Sequence, residues 1–186
     1  IHHLHDEAWI GWSFNEYAWL EDASALWYLS EESGYGNLFL WTSRDEAPTK
    51  LAGEAWEVSS VRESPDGAWL YFLGNSERPV EFQVHRLGLW GQGLKRVSDV
   101  EGSVESFRVS PDGARLLLTA SSAVRPPELS VVDLRTGAHT RITSTVTDAY
   151  LARPWIEPAF VAIAEVVGAN IERLAAGESL LHRVDR

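Results

Sequence analysis

The 186 residues include neither cysteine nor methionine. Without cysteine there is no disulfide, no thiolate nucleophile and no sulfur ligand for a metal, and the redox character of the compartment is left undetermined. Without an initiator methionine, the chain reads as an excised or processed piece of a longer reading frame. Basic residues are scarce. Against 27 Asp and Glu stand 16 Lys and Arg, for a net charge of −11, which argues against a nucleic-acid backbone as partner because that contact needs clustered cations. No apolar run approaches the ~20 residues that cross a bilayer, and no secretory signal opens the chain. A soluble protein without membrane contact is expected, in cytoplasm or periplasm. Nor does Gly-x-Ser-x-Gly occur anywhere, so the tight turn that exposes a hydrolase nucleophile is missing.

Aromatic residues are what the chain has in quantity. Its nine tryptophans are spread along the sequence rather than gathered in one segment. Spread this way, they suit packing between repeated units better than a stacking platform for bases or sugars. At 45% apolar residues, a chain of this length can bury a sizeable core.

The organising feature is a repeat. Ser64-Pro65-Asp66-Gly67 followed by Ala68-Trp69-Leu70-Tyr71-Phe72 recurs as Ser110-Pro111-Asp112-Gly113 followed by Ala114-Arg115-Leu116-Leu117-Leu118. A degenerate copy, Glu21 to Leu29, carries Asp22 at the equivalent place, so one unit returns every 44 to 46 residues. Proline fixes φ, Asp bonds the backbone two residues on, and Gly accepts positive φ: each copy is a tight turn between strands. Extended stretches flank each turn, at Trp56–Arg62 and Glu81–Leu87 in one unit and at Val104–Val109 and Glu128–Leu134 in the next. Such units are antiparallel meanders, and their period is that of propellers. The fold class expected is all-β: a partial β-propeller of about three to four four-stranded antiparallel blades over residues 1–160. Blades are placed at roughly 1–50, 51–98 and 99–145, with a tail at 161–186. Three units cannot close a ring that usually needs about four to eight, so exposed sheet surface and self-association are expected.

Candidate sites are few. His2, His3 and His5 sit near Asp6 and Glu7, but a chain end does not hold ligands rigidly, and no metal site or cofactor is expected. Trp9, Trp12, Phe14, Tyr17 and Trp19 form an aromatic segment that packs or lines a cavity. Ser30 to Gly36 reads as a hairpin turn before the strand Asn37–Trp41, Asn75–Val80 as a connection, and Thr136-Gly137 as another turn. In Ala55-Trp56-Glu57-Val58, Trp56 and Val58 are expected on one strand face and Glu57 on the other.

The collinear order of Trp9-Ile10-Gly11, Ala25 to Tyr35, Ala55-Trp56-Glu57-Val58 and Leu70-Tyr71-Phe72, continued by Ser121, Arg125-Pro126-Pro127 and Leu134-Arg135, resembles the late propeller blades of the dipeptidyl peptidase IV branch of the prolyl oligopeptidase family. The resemblance covers roughly residues 1–145. It implies an N-terminal propeller joined to an α/β-hydrolase domain that carries a Ser-Asp-His triad and removes N-terminal dipeptides, often after Pro or Ala. Neither that domain nor the family's paired glutamates, which belong to an earlier propeller segment, is expected in this chain, and no catalytic residue is assigned. Glu31-Glu32 is read as turn surface. The family's substrate-facing loop maps approximately to Trp12, Ser13 and Phe14, the only substrate-lining candidates.

From Val161 onward the apolar positions Ile163, Val166, Val167, Ile171 and Leu174 follow a helical period, giving a marginal helix over Ala162–Ala176, or alternatively a strand over Phe160–Ala164. Two functions compete. One is the non-catalytic propeller portion of a serine peptidase, gating peptide ends toward a partner hydrolase domain. The other is a free-standing interaction module that binds protein or glycan.

Overall fold

The computed structural model describes His5, residues 15–153, Arg173 and Ala176. Within the compact unit Ile1–Thr145 lie three four-stranded sheets, each with its strands side by side in chain order. The first blade comprises β1 (Tyr17–Trp19), β2 (Leu26–Ser30), β3 (Asn37–Trp41) and β4 (Thr49–Ala52). The second holds β5 (Val58–Glu63), β6 (Trp69–Arg78), β7 (Glu81–Gly88) and β8 (Lys95–Arg96). The third holds β9 (Ser103–Val109), β10 (Arg115–Ser122), β11 (Arg125–Asp133) and β12 (His139–Arg141). All neighbouring strands are antiparallel. The architecture is a partial β-propeller. In the second compact unit, Val146–Arg186, α1 (Asp148–Leu151) is capped by Thr147, whose hydroxyl accepts from the Tyr150 N–H. The helix and strand readings at 160–176 lie outside the described residues, apart from Arg173 and Ala176.

The repeated turns share one hydrogen-bond pattern. The Ser64 N–H donates to the Trp69 carbonyl at 2.8 Å and the Gly67 N–H to the Ser64 carbonyl at 2.9 Å. The Ser64 hydroxyl donates to Asp66 Oδ1 at 2.5 Å and accepts from the Trp69 N–H at 2.9 Å. Ser110, Asp112, Gly113 and Arg115 repeat every one of these bonds. With a hydroxyl and an amide both donating to them, the Asp66 and Asp112 carboxyls are held below the ordinary Asp range, the serine hydroxyl contributing most. In the degenerate copy Leu20, Asp22 and Ala23 hold the same backbone, but Ala23 must take the glycine's place at φ 55°. Glu21 stands where the other turns have proline, and its N–H donates to the Glu63 carboxylate of the second blade at 2.9 Å, a bond that a proline cannot make.

Packing distinguishes the middle blade from its neighbours. Along β6 every residue from Leu70 to Leu73 is buried. Leu70 and Phe72 join a cluster with Trp27, Leu29, Leu38 and Leu40 of the first blade, while Tyr71 and Leu73 join Phe107, Leu116 and Leu118 of the third. The related run in β10 behaves differently: Leu116 and Leu118 are fully buried, but Leu117 between them is 40% exposed. Period-two alternation along a strand produces this contrast, because a blade covered on both faces buries successive residues and a blade covered on one buries every other.

Three local readings change. Trp56 and Glu57 precede β5 instead of lying in it, since the Glu57 N–H is taken by the Asn75 side chain at 2.7 Å. Asn75 to Arg78 extend β6 past an irregularity after Gly74 and are not a loop, leaving Pro79-Val80 as the turn. Pro126 and Pro127 lie inside β11, where the pairing skips from Ser122–Arg125 to Ala120–Glu128 and no ladder bond is required of them.

Candidate functional site

Bonds from the first blade reach β5 and the residues just before it from Glu16 beside β1, from Glu21 in the turn after β1 and from Gly36-Asn37 at the start of β3. Glu16, just before β1, accepts from the Ser60 N–H of β5 at 2.8 Å through one carboxylate oxygen, and its other oxygen lies 3.8 Å from the Arg62 guanidinium. Ser60 holds φ 56° inside a bulge between Ser59 and Arg62, a conformation that a serine adopts at some cost and that aims its N–H at the carboxylate. On β9 of the third blade, Glu105 accepts from the Ser121 hydroxyl at 2.5 Å. The first-strand edge therefore presents carboxylates fixed by hydrogen bonds and the exposed guanidinium of Arg62. An open cleft of about 370 Å³ is lined by Glu77, by β8 and the residues just after it, and by the turn between β11 and β12.

A second constellation centres on the buried His85 of the middle blade. The His85 ring packs against both Trp56 and Phe72, with centroids 5.6 and 5.7 Å away, and those two rings also contact each other at 6.3 Å. Its Nδ1 is 3.1 Å from the Gln83 carbonyl and its Nε2 is 3.1 Å from the Ser76 hydroxyl. A carbonyl only accepts, so the neutral ring carries its proton on Nδ1, and Nε2 accepts from Ser76. Burial, chiefly, keeps this imidazole below its ordinary range; nearby Arg96 acts the same way, while the Gln83 carbonyl and Glu77 oppose it. The serine hydroxyl and the imidazole are within hydrogen-bond reach of each other, but a backbone carbonyl stands where a catalytic triad has its carboxylate.

Trp12, Ser13 and Phe14, together with His2 and His3, lie outside the described residues. Glu31 is half-buried and Glu32 exposed, both in the turn between β2 and β3. Among the described residues no three His, Asp or Glu side chains converge as a metal site. Sequence reasoning finds neither Glu16 with Ser60 nor Ser76 with His85. The first pair is 44 residues apart and made by blade stacking; the second crosses a hairpin, and Ser76 falls in a stretch that reads as a connection.

Three consecutive four-stranded antiparallel meanders, packed face on face through two shared apolar clusters, define a segment of β-propeller. The chain belongs to the family of the dipeptidyl peptidase IV (DPP IV) N-terminal region, whose model matches residues 2–127. Among solved structures it is similar in fold to TolB from Acinetobacter baumannii, at TM-score 0.55 and 18% identity over 73% of this chain and 34% of that one. It also resembles dipeptidyl peptidase 4 from Porphyromonas gingivalis, at TM-score 0.55 and 19% identity over 66% of this chain and 17% of that one. A puromycin-hydrolyzing peptidase from Mycobacterium tuberculosis gives TM-score 0.58 and 16% identity over 75% and 22%. In each case the chain spans well under half of the other protein's length. No curated protein sequence matches it.

Proposed function

We propose that this chain is the non-catalytic propeller portion of a dipeptidyl peptidase IV-like serine peptidase, roofing a hydrolase domain that lies outside these residues and admitting only short or unfolded peptide ends. The observation that carries the proposal is the family match over residues 2–127, which takes in the first two blades and β9 and β10 of the third. The polar first-strand edge, with Glu16 and Glu105 fixed by hydrogen bonds, supplies groups along which a peptide end can pass, and Trp12, Ser13 and Phe14 would add the substrate-facing loop. The hydrolase domain is thus the principal partner. A second copy is another, because Leu117 and Leu129 stay about two-fifths exposed on the outer face of the third blade, at 40% and 38%.

The test compares the hydrolase domain with and without this chain, using an Xaa-Pro chromogenic dipeptide and a folded protein bearing the same N-terminal dipeptide. The expected result is that the chain leaves dipeptide turnover intact and suppresses cleavage of the folded substrate. Equal cleavage of both substrates in both preparations would overturn the gating role.

A further inference from the structure

The second blade holds a cation pair that no carboxylate answers. Arg86 on β7 stands directly opposite Lys95 on β8, so both side chains project from one face of the sheet, an arrangement of like charges that is unfavourable by itself. The Arg86 guanidinium lies over the Trp69 ring, its central carbon 4.3 Å from the ring centroid. Its Nε is buried without a hydrogen-bond acceptor, although a buried donor left unmade is normally avoided. Acids are close by but engaged elsewhere. Glu77 and Asp99 both pair with Arg96, and Asp133 accepts from the amides of Arg135 and Thr136 within its own turn. Among the described residues, neither Arg86 nor Lys95 has an ion-pair partner. In a protein of net charge −11, two facing cations without a counter-charge are an exception that asks for an anion.

We propose that Arg86 and Lys95 form the docking point for an acidic segment of a partner polypeptide. Stacking on Trp69 fixes the guanidinium plane and leaves its in-plane N–H donors to grip a carboxylate, which two parallel hydrogen bonds suit well. Lys95 is exposed and borders the cleft between the second and third blades, where it takes a second carboxylate as a point charge. Trp90, 62% exposed, and Leu94, 49% exposed, lie in the connection between β7 and β8, Leu94 directly preceding Lys95. Exposed apolar side chains in the connection that leads into Lys95 fit a peptide whose acids alternate with apolar residues, more than they fit a small free anion.

The test uses the full chain, labelled with nitrogen-15, and follows the Arg86 Nε–H resonance during titration with an amidated peptide Leu-Glu-Asp-Glu-Leu. Parallel titrations use its Gln/Asn counterpart and inorganic phosphate. The acidic peptide should shift the Arg86 resonance, bind at least tenfold more tightly than the neutral peptide or phosphate, and weaken as salt is raised. Arg86→Gln and, separately, Lys95→Gln should each weaken binding about tenfold; Lys95 is exposed, so its variant keeps the fold if Arg86→Gln does not. Equal binding of the neutral peptide overturns the proposal. So does phosphate binding as tightly as the acidic peptide, which would assign the site to a free anion, and so does an Arg86 resonance that no probe moves.

Discussion

Replacing Gly113 isolates the backbone cost of the repeated turn. This glycine sits at φ +68°, and a Cβ built on it meets nothing within 4 Å, so an alanine there clashes with nothing and its loss of stability comes from the backbone. Holding an L-residue in the left-handed region costs ~1–2 kcal/mol, and the smaller unfolded-state entropy of alanine returns ~0.4–1 kcal/mol of that. Gly113→Ala should therefore destabilise by about 1 kcal/mol, equivalent to ~2–4 °C in Tm for a chain of this size. Gly113→Val should lose more, because a β-branched residue is a genuine outlier at positive φ. The first blade offers the reverse experiment. Ala23 occupies the equivalent position at φ 55°, so Ala23→Gly should raise Tm by a comparable or smaller amount. Near-ultraviolet circular dichroism of the tryptophans during urea and thermal unfolding reads out all three variants. A Gly113→Val protein that melts with the wild type, or an Ala23→Gly protein that melts below it, would show that the turn does not impose the conformation argued for it.

Asp66→Ala and Asp112→Ala should each lower the melting temperature in the same assay, since each removes an acceptor for one serine hydroxyl and one amide; a clear inequality between them would argue against equivalent turns. Because burial lowers the folded-state pKa of His85, the unfolded chain takes up the proton first as pH falls through about 6.5. The stability due to this residue is complete above that pH and drains away below it, until the folded ring protonates as well. His85→Gln should flatten the urea midpoint between pH 5 and 7, and parallel profiles for variant and wild type would remove His85 as the cause. Sedimentation at micromolar concentration should reveal association through the outer blade faces, and a monodisperse monomer would count against it.

The fold is legible in the sequence because its signal is local and repeated. Ser-Pro-Asp-Gly specifies a turn from its own four residues, and the aromatic and branched runs after it specify strands; both stand where expected at Ser64 and Ser110. What sequence does not supply is each blade's neighbour. Tyr71 and Leu117 mark the limit: they occupy matching places in the repeat, yet Tyr71 is buried against the third blade and Leu117 is not buried. Glu57 likewise looks like an outward strand residue. In fact its carboxylate accepts from the Gly36 N–H of the first blade at 2.5 Å, a contact that depends on how the blades stack. The candidate site is less legible than the fold. Ser60 carries no turn signature, and its positive φ follows from the bulge and from Glu16, a residue of the preceding blade. Trp12, Ser13 and Phe14, singled out through family resemblance, fall outside the described residues.

The central claim, that these blades serve a peptidase without performing its chemistry, is tested most directly by assaying the purified chain alone on Xaa-Pro and Xaa-Ala chromogenic dipeptides. A nucleophile, a base, an orienting carboxylate and oxyanion donors are all required for turnover, and His85 with Ser76 supplies only the first two. The expected result is no hydrolysis above the buffer rate. Turnover that survives repurification, is abolished by a serine-directed covalent inhibitor and disappears in Ser76→Ala would contradict the claim and place an active site within the second blade.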